Sequence, residues 1–245
     1  MLELVAKHPR YGYRRVWALL RADGWRVNRK RVYRLWRQQG LKVPRKRRKR
    51  RRLGSSASGC VRYRAQGKGH VWAWDFIHDR TADGRPLKWL SVVDEYTREC
   101  LALEVGGGMK ASGVVTVLDG LVRRRGAPGH IRSDNGPEFI ARAIREWLSG
   151  GGVGGLYIEP GAPWENGYAE SFHGKLRDEL LDREEFASVL EARVVSKAWK
   201  EEYNTIRPHS ALGYRTPAEY GASCPRADSA KPTPARGHDG SNGNG

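Results

Sequence analysis

The stretch "VWAWDFIHD" at residues 71–79 decides the fold class of this chain. It is a short apolar run rich in β-forming residues, followed by a turn signal at 83–84, and it therefore predicts a buried β-strand. Asp75 interrupts the run, with Ala73 and Ile77 on the same face of the strand. A carboxylate in such surroundings costs free energy unless it is paired or bound to a metal. The strand is therefore both a core element and a candidate site.

The segments that follow this strand alternate between strand-like and helix-like patterns. Strands are expected at 86–97, 99–105, 130–136 and 155–160, and helices at 111–126, at 137–150 and from about 167. The order β-β-β-α-β-α-β-α predicts the α/β class, a mixed sheet with helices on its faces.

Asp134 is a second candidate site residue. It follows the strand that begins at His130, and so lies at the carboxyl end of that strand, where α/β sheets tend to place ligands. The alternative is a turn aspartate, a common role of Asp in an Asp-Asn-Gly sequence.

Glu170 is the third candidate. At 100° per residue, His173, Gly174 and Arg177 lie within about 60° of it on one polar helix face. The alternative is a first-turn glutamate that stabilises the N-terminus of the helix. Together, Asp75, Asp134 and Glu170 predict a metal site built by tertiary folding, and a set of hard oxygen ligands suits Mg²⁺ or Mn²⁺ better than zinc.

The positive charge of the chain is concentrated at its N-terminal end. The net charge is +18, and residues 1–52 contain 20 Lys or Arg against two acids, so the remainder is neutral overall. A basic head on a neutral body is typical of a DNA-binding arm, and a solvated basic tail is the alternative.

The head has the pattern of two short helices joined by a turn. The first carries an apolar stripe and ends at 23–24, and the second begins after Asn28 and ends at Gly40. The second helix is expected to bury Val32, Leu35 and Trp36. A helix-turn-helix at 1–42 would present four basic groups to phosphates or base edges. These groups are Arg29, Lys30, Arg31 and Arg34.

A run of eight basic residues follows the head. Like charges this dense cannot pack, so 43–68 is expected to be a flexible linker able to neutralise DNA phosphates, with a targeting signal as the alternative. The run consists of Arg45, Lys46, Arg47, Arg48, Lys49, Arg50, Arg51 and Arg52.

Other classes of protein are disfavoured. No apolar stretch is long enough to span a membrane, and the N-terminus lacks the pattern of a signal peptide. The three cysteines are far apart, so a disulfide framework is not expected and a reducing cytoplasm fits.

Several long motifs resemble one family. "SDNGPEF" around Asp134 and "ENGYAESFHGKLRDEL" around Glu170, with 35 residues between the two acids, resemble the DDE transposase and retroviral-integrase superfamily. The likeness is strongest to the OrfB-type transposases of bacterial insertion sequences. "HPRYGYRRVWALL" is similar to the helix-turn-helix of that group, "WAWDFIHD" to its first catalytic strand, and "YNTIRPHSALGYRTPAEY" to its C-terminal signature.

The resemblance implies a fold, an activity and partners. It implies an RNase H-like core at 69–220 in which Asp75, Asp134 and Glu170 hold two Mg²⁺ ions, with Mn²⁺ possible, for cleavage and strand transfer at terminal inverted repeats. Double-stranded DNA, an OrfA partner or frameshift fusion, and a homo-oligomer on DNA are the implied partners, in a bacterial, nucleoid-associated setting. Arg177 and His173 are expected to contact DNA, although the family usually has Asn at the position of His173. The segment 221–245 matches nothing in the family and is expected to be disordered.

Two alternatives remain at this stage. One is a catalytically inactive or truncated copy that only binds DNA, and the other is an RNase H-like nuclease without strand transfer. We also expect Glu165 to be a loop residue and Trp164 to belong to a flap that grips DNA.

Overall fold

The computed structural model describes residues 1–43, 63–134, 141–157 and 166–227. The expectations for the basic run at 45–52, for Trp164 and Glu165, and for the chain after 227 lie outside these ranges.

A five-stranded mixed sheet forms the centre of the molecule. Its strands are β1 (Val71–Arg80), β2 (Pro86–Asp94), β3 (Cys100–Gly106), β4 (His130–Ser133) and β5 (Gly154–Tyr157). Their order is β3-β2-β1-β4-β5, in which β1, β2 and β3 are antiparallel neighbours while β4 and β5 continue the sheet in parallel with β1. The strand that carries Asp75 is therefore central, and the mixed α/β sheet expected from the sequence is confirmed.

Eight α-helices are described. They are α1 (Leu2–Lys7), α2 (Tyr13–Ala22), α3 (Arg29–Gln38), α4 (Ala111–Arg125), α5 (Arg142–Gly150), α6 (Gly167–Leu176), α7 (Val189–Thr205) and α8 (Pro217–Ala222). A π-helical turn at Arg177–Leu181 extends α6, and a 3₁₀ turn at Ser210–Leu212 follows α7. No helix in the described part of the chain is both long and apolar enough to cross a bilayer.

The alternation of side chains along β1 and β2 divides the core into two layers. Ile77 and Trp89 face α6 and α7, where Phe172 and Leu176 pack against them. Trp72 and Trp74 point to the opposite face and pack with residues of α4 and α5. Because successive strand residues point to opposite faces, Asp75 shares the side of Ile77, which is the side covered by α6.

The head is a small helical unit whose core is formed by Tyr11, Val16, Leu19 and Trp36. The side chain of Asn28 accepts a hydrogen bond from the backbone N–H of Arg31 at 2.8 Å, which confirms the expected start of α3. Helix α1 was not predicted, since six residues are too few to show a periodic pattern. The expectation that Leu35 is buried was wrong, because this side chain is 37% exposed. Val32 and Trp36 are one turn apart and take the inner face, which leaves Leu35 at its edge.

Buried charges join the head to the core. The guanidinium of Arg207 donates two hydrogen bonds to the carboxylate of Glu179, at 2.6 and 2.5 Å, and Arg15 of α2 approaches the same carboxylate at 3.4 Å. His8 lies 3.0 Å from Glu202 on α7. The head is thus attached to the same helical segment, α6 with its π-helical extension, that carries Glu170.

Two residues outside the expected core make long-range contacts with it. The backbone carbonyl of Tyr63, in the expected linker at 43–68, accepts a hydrogen bond from Arg132 at 2.6 Å, and its ring packs on His70. The guanidinium of Arg226, in the expected tail at 221–245, donates to the carbonyl of Ala127 at 2.5 Å. Local composition does not predict these contacts.

Candidate active site

Strand pairing brings the first two carboxylates side by side. In the parallel pair of β1 and β4, Ala73 is opposite Arg132. Two residues further along each strand, the same register leads to Asp75 and Asp134. Neighbouring strands lie about 4.8 Å apart, and positions in register point to the same face. Asp134 is exposed at the carboxyl end of β4, as the sequence predicted.

Glu170 reaches this place because α6 packs on the same face of the sheet. Ala169, Phe172 and Leu176 are buried on the inner side of α6. Glu170 is exposed in the first turn of the helix, and a side chain at Gly174, one turn later, would meet open space. The helix therefore presents Glu170 beside an unobstructed surface.

The three carboxylates influence one another electrostatically. Desolvation by burial is the main cause that raises the pKa of Asp75 to about 7, and the negative charges of Asp134 and Glu170 raise it further. The backbone N–H of Phe76 donates to the Asp75 carboxylate at 2.7 Å and opposes this shift in part. The charges of the described residues that act on Asp75 are thus negative and oppose its ionisation.

His173 is closely associated with Asp75. Its Nδ1 atom lies 3.4 Å from a carboxylate oxygen of Asp75, and its Nε2 atom lies 2.8 Å from the hydroxyl of Ser91. Burial, aided by the positive charge of Arg177, lowers the pKa of His173 to about 4. The contact with Asp75 is therefore not an ion pair at neutral pH but a contact of a neutral imidazole.

Ser91 completes this arrangement and was missed in the sequence. It is the register partner of Asp75 on β2, and its hydroxyl donates to the backbone carbonyl of Asp75 at 3.1 Å. The available signal was a single hydroxyl within the apolar run "WLSVVD" of a central strand.

Arg177 lies at the end of α6, exposed, and donates to the backbone carbonyl of His78 at 3.1 Å. The structure therefore brings Asp75, Asp134, His173 and Arg177 to the face of α6 and β1 that Glu170 borders.

The basic residues of α3 are in a different place, on the exposed side of the head. These are Arg29, Lys30, Arg31 and Arg34.

The donor set fits a hard divalent cation. Within the ranges that the structure describes, no three Asp, Glu, His or Cys side chains are close enough to enclose an ion as they stand. Asp75 is nevertheless a half-buried carboxylate destabilised by Asp134 and Glu170, and a cation with oxygen ligands would remove that repulsion.

Family models match almost the whole chain. A model described as an HTH-like domain matches residues 1–49, and two models described as integrase core domains match residues 65–163 and 152–217.

Solved structures show the same fold. The chain superposes on a simian T-cell lymphotropic virus intasome, solved in complex with PP2A regulatory subunit B56 gamma, with a TM-score of 0.57 at 19% identity, over 69% of this chain and 61% of that chain. It superposes on the HTLV-2 integrase catalytic core domain, solved in complex with magnesium, with a TM-score of 0.51 at 17% identity, over 64% of this chain and 99% of that one. The fold is therefore the RNase H-like integrase catalytic core, preceded by an HTH-like domain.

Relatives from insertion elements are similar over most of the chain. A 31.7 kDa protein of insertion element IS407 from Burkholderia multivorans is 41% identical over 91% of this chain and 79% of that protein. A 39.2 kDa protein of IS476 from Xanthomonas euvesicatoria is 40% identical over 91% of this chain, which spans 64% of that relative. Transposase InsD of IS2 from Escherichia coli is 33% identical over 89% of this chain and 75% of that protein. The chain belongs to the insertion-element transposase family with an integrase core domain.

Proposed function

We propose that this chain is a DDE-type DNA transposase that cleaves the terminal inverted repeats of an insertion element and joins them to target DNA. One observation carries the assignment of its active site. The strand register leads from Ala73 and Arg132 to Asp75 and Asp134 on one face of the sheet, and α6, which carries Glu170, packs on that face. Burial is the main cause of the raised pKa of Asp75, and the charges of Asp134 and Glu170 raise it further.

In this proposal, Asp75, Asp134 and Glu170 hold two divalent cations, Mg²⁺ or Mn²⁺. Bound cations of this kind supply activation of the attacking oxygen and stabilisation of the leaving oxygen at phosphorus. Asp75 lies on β1, Asp134 directly follows β4, and Glu170 lies on α6. These regular elements hold the three carboxylates in position. His173 and Ser91 hold the Asp75 segment, and Arg177 lies on the same face, where it can orient a DNA phosphate.

The head supplies DNA binding in the same proposal. The exposed basic groups on α3 would contact the duplex, and the basic run at 45–52 would add phosphate contacts. We further propose that the chain works as a homo-oligomer on DNA, with an OrfA partner or as a frameshift fusion to it, and in association with the nucleoid.

A cleavage assay tests the active site. The chain, alone and with OrfA, is incubated with labelled inverted-repeat DNA and Mg²⁺, and 3′-end cleavage and joined products are measured. We expect Glu170→Gln to reduce both by about a thousandfold or more while DNA binding is retained. The matched control is Glu104→Gln, which changes an exposed glutamate on β3 and should leave the rates unchanged.

The outcomes separate the alternatives. Wild-type cleavage by Glu170→Gln would show that the carboxylate assignment is wrong. Cleavage without joined products would indicate a nuclease, and DNA binding without cleavage in either preparation would indicate a binding protein.

A further inference from the structure

A basic cavity lies between the head and the core, beside α6. Its volume is about 340 Å³, within the range of small-ligand sites of roughly 300–1,000 Å³. Four cationic side chains line it, each from a different part of the fold: Arg15 from α2, Arg98 from the turn between β2 and β3, Lys175 from α6, and Arg207 from the segment after α7. No acidic side chain from the described ranges lines it.

A carboxylate lies close to the basic cavity. Glu179 accepts two hydrogen bonds from Arg207 and a longer one from Arg15, at 3.4 Å. Burial and the nearby charge of Arg207 lower the pKa of Lys175 to about 7. Arg98 and Arg15 act in the same direction. An anion in the cavity would relieve this repulsion, as opposite charges favour the ionised form.

The cationic groups are held in place. The Lys175 ammonium donates to the hydroxyl and carbonyl of Ser171, at 2.9 and 3.0 Å. The guanidinium of Arg98 lies 3.7 Å from the ring centroid of Tyr168, and the Arg98 backbone has φ of 65°, a left-handed conformation that residues other than glycine rarely adopt. A backbone strained in this way, at a turn that delivers a cation, is typical of a binding site.

His209 adds an independent indication of a ligand. It lines the basic cavity, it is buried, and its Nδ1 atom lies 2.8 Å from the backbone carbonyl of Arg207, so Nδ1 is the donor. Its Nε2 atom is then an acceptor, and it has no hydrogen-bond partner among the described residues. A water bound to an anion can satisfy this atom, because buried waters bridge otherwise unsatisfied polar groups.

We propose that the basic cavity binds a phosphate of the DNA backbone and thereby fixes the DNA between the head and α6; this rests on the proposed function. Its position supports this occupant. Arg15 belongs to the head that carries the basic helix α3, and Ser171 follows Glu170 directly on α6. A phosphate held here would therefore contact both the head, through Arg15, and the flank of α6 away from His173.

The test measures DNA binding without catalysis, so it is independent of the carboxylate assignment. The full chain is titrated with inverted-repeat duplex in EDTA at several salt concentrations. We expect Lys175→Gln to weaken binding several-fold at low salt and to reduce the log-log salt slope by about 0.9, the loss of one phosphate contact. Ser210→Glu, which adds a charge at the exposed rim, should weaken binding without disturbing the core. The matched control is Lys197→Gln, an exposed lysine on α7.

A second experiment measures the melting temperature of the protein with and without inorganic phosphate. The proposal requires that both cavity variants weaken DNA binding relative to Lys197→Gln, with wild-type melting curves for Ser210→Glu as the check on folding. Unchanged affinity and slope in both variants would overturn it. Lost protection by inorganic phosphate with unchanged DNA binding would also overturn it and would assign the cavity to a free anion.

Discussion

The Nδ1 atom of His173 lies 3.4 Å from a carboxylate oxygen of Asp75, while the opposite ring nitrogen contacts the hydroxyl of Ser91. A neutral imidazole therefore links the candidate metal ligand on β1 to its register partner on β2. We propose that His173 positions Asp75 in this arrangement, since it contacts both Asp75 and Ser91.

Removal of this contact should change the metal requirement. We expect His173→Ala to reduce cleavage about 10- to 100-fold and to raise the Mg²⁺ concentration needed for half-maximal rate, because partners of metal ligands have effects of this size. His173→Asn, with an amide in place of the ring, should retain more cleavage activity than His173→Ala. The measurement is the cleavage rate as a function of Mg²⁺ concentration, with the exposed His78→Ala as control. An unchanged Mg²⁺ dependence in His173→Ala would contradict the positioning role.

Asp75→Asn should stabilise the metal-free protein while it abolishes cleavage. Burial and the charges of Asp134 and Glu170 raise the pKa of Asp75 to about 7, so at pH 8 the ionised side chain destabilises the fold. A neutral amide of the same shape removes that cost, and we expect a gain on the order of 2 kcal/mol in the free energy of unfolding. Chemical denaturation in EDTA measures this gain in the free energy of unfolding. A loss of stability in Asp75→Asn at pH 8 would show that the carboxylate is already compensated.

The buried pair of Arg207 and Glu179 should be far more sensitive than an exposed pair. Arg207→Ala removes both hydrogen bonds that Glu179 accepts from Arg207 and leaves this buried carboxylate with the longer contact to Arg15, so we expect it to lower the free energy of unfolding by about 3 kcal/mol. Arg85→Ala, which breaks an exposed ion pair with Asp83 at 2.9 Å, should lower it far less, because water screens exposed charges.

A double variant separates the pair from its surroundings. Arg207→Met combined with Glu179→Gln removes both buried charges, and urea denaturation should show that it is more stable than Arg207→Ala. If the double variant is the less stable of the two, the uncompensated carboxylate is not the cause of the loss.

Acid should destabilise the protein through His209. Burial is the main cause that lowers the pKa of this histidine from 6.5 to about 3, with the charge of Arg207 acting in the same direction. Between these two values the unfolded chain binds a proton that the folded chain does not, so stability is complete above pH 6.5 and falls as the pH decreases toward 3. The loss is at most about 1.4 kcal/mol per pH unit for one group.

The asparagine variant tests this pH dependence. His209→Asn keeps a donor near the carbonyl of Arg207 and removes the titrating ring, so the slope of stability against pH between 4 and 6 should decrease. His78→Asn, at an exposed position, is the matched control. If stability has the same slope against pH in His209→Asn and in the wild-type protein, His209 is not the cause of the pH dependence.

Local patterns predicted most of the elements of this fold. The apolar β-forming run of β1 and the cap at Asn28 each depend on neighbours along the chain, and the structure confirms both. Local patterns did not predict what packing and distant contacts decide. Tyr63 is held by Arg132, and Leu35 is exposed because Val32 and Trp36 take the inner face of α3.

By itself, the sequence determined the class of the protein, because the strand and helix periods, the basic head and the spacing of Asp134 and Glu170 are properties of order along the chain. Only the tertiary structure decided what surrounds the candidate carboxylates. The strand register sets Asp134 beside Asp75 and Ser91 opposite it, and α6 carries His173 to both. The basic cavity likewise joins side chains from four separate segments, whose charges interact only once folding has brought them together and removed the water between them.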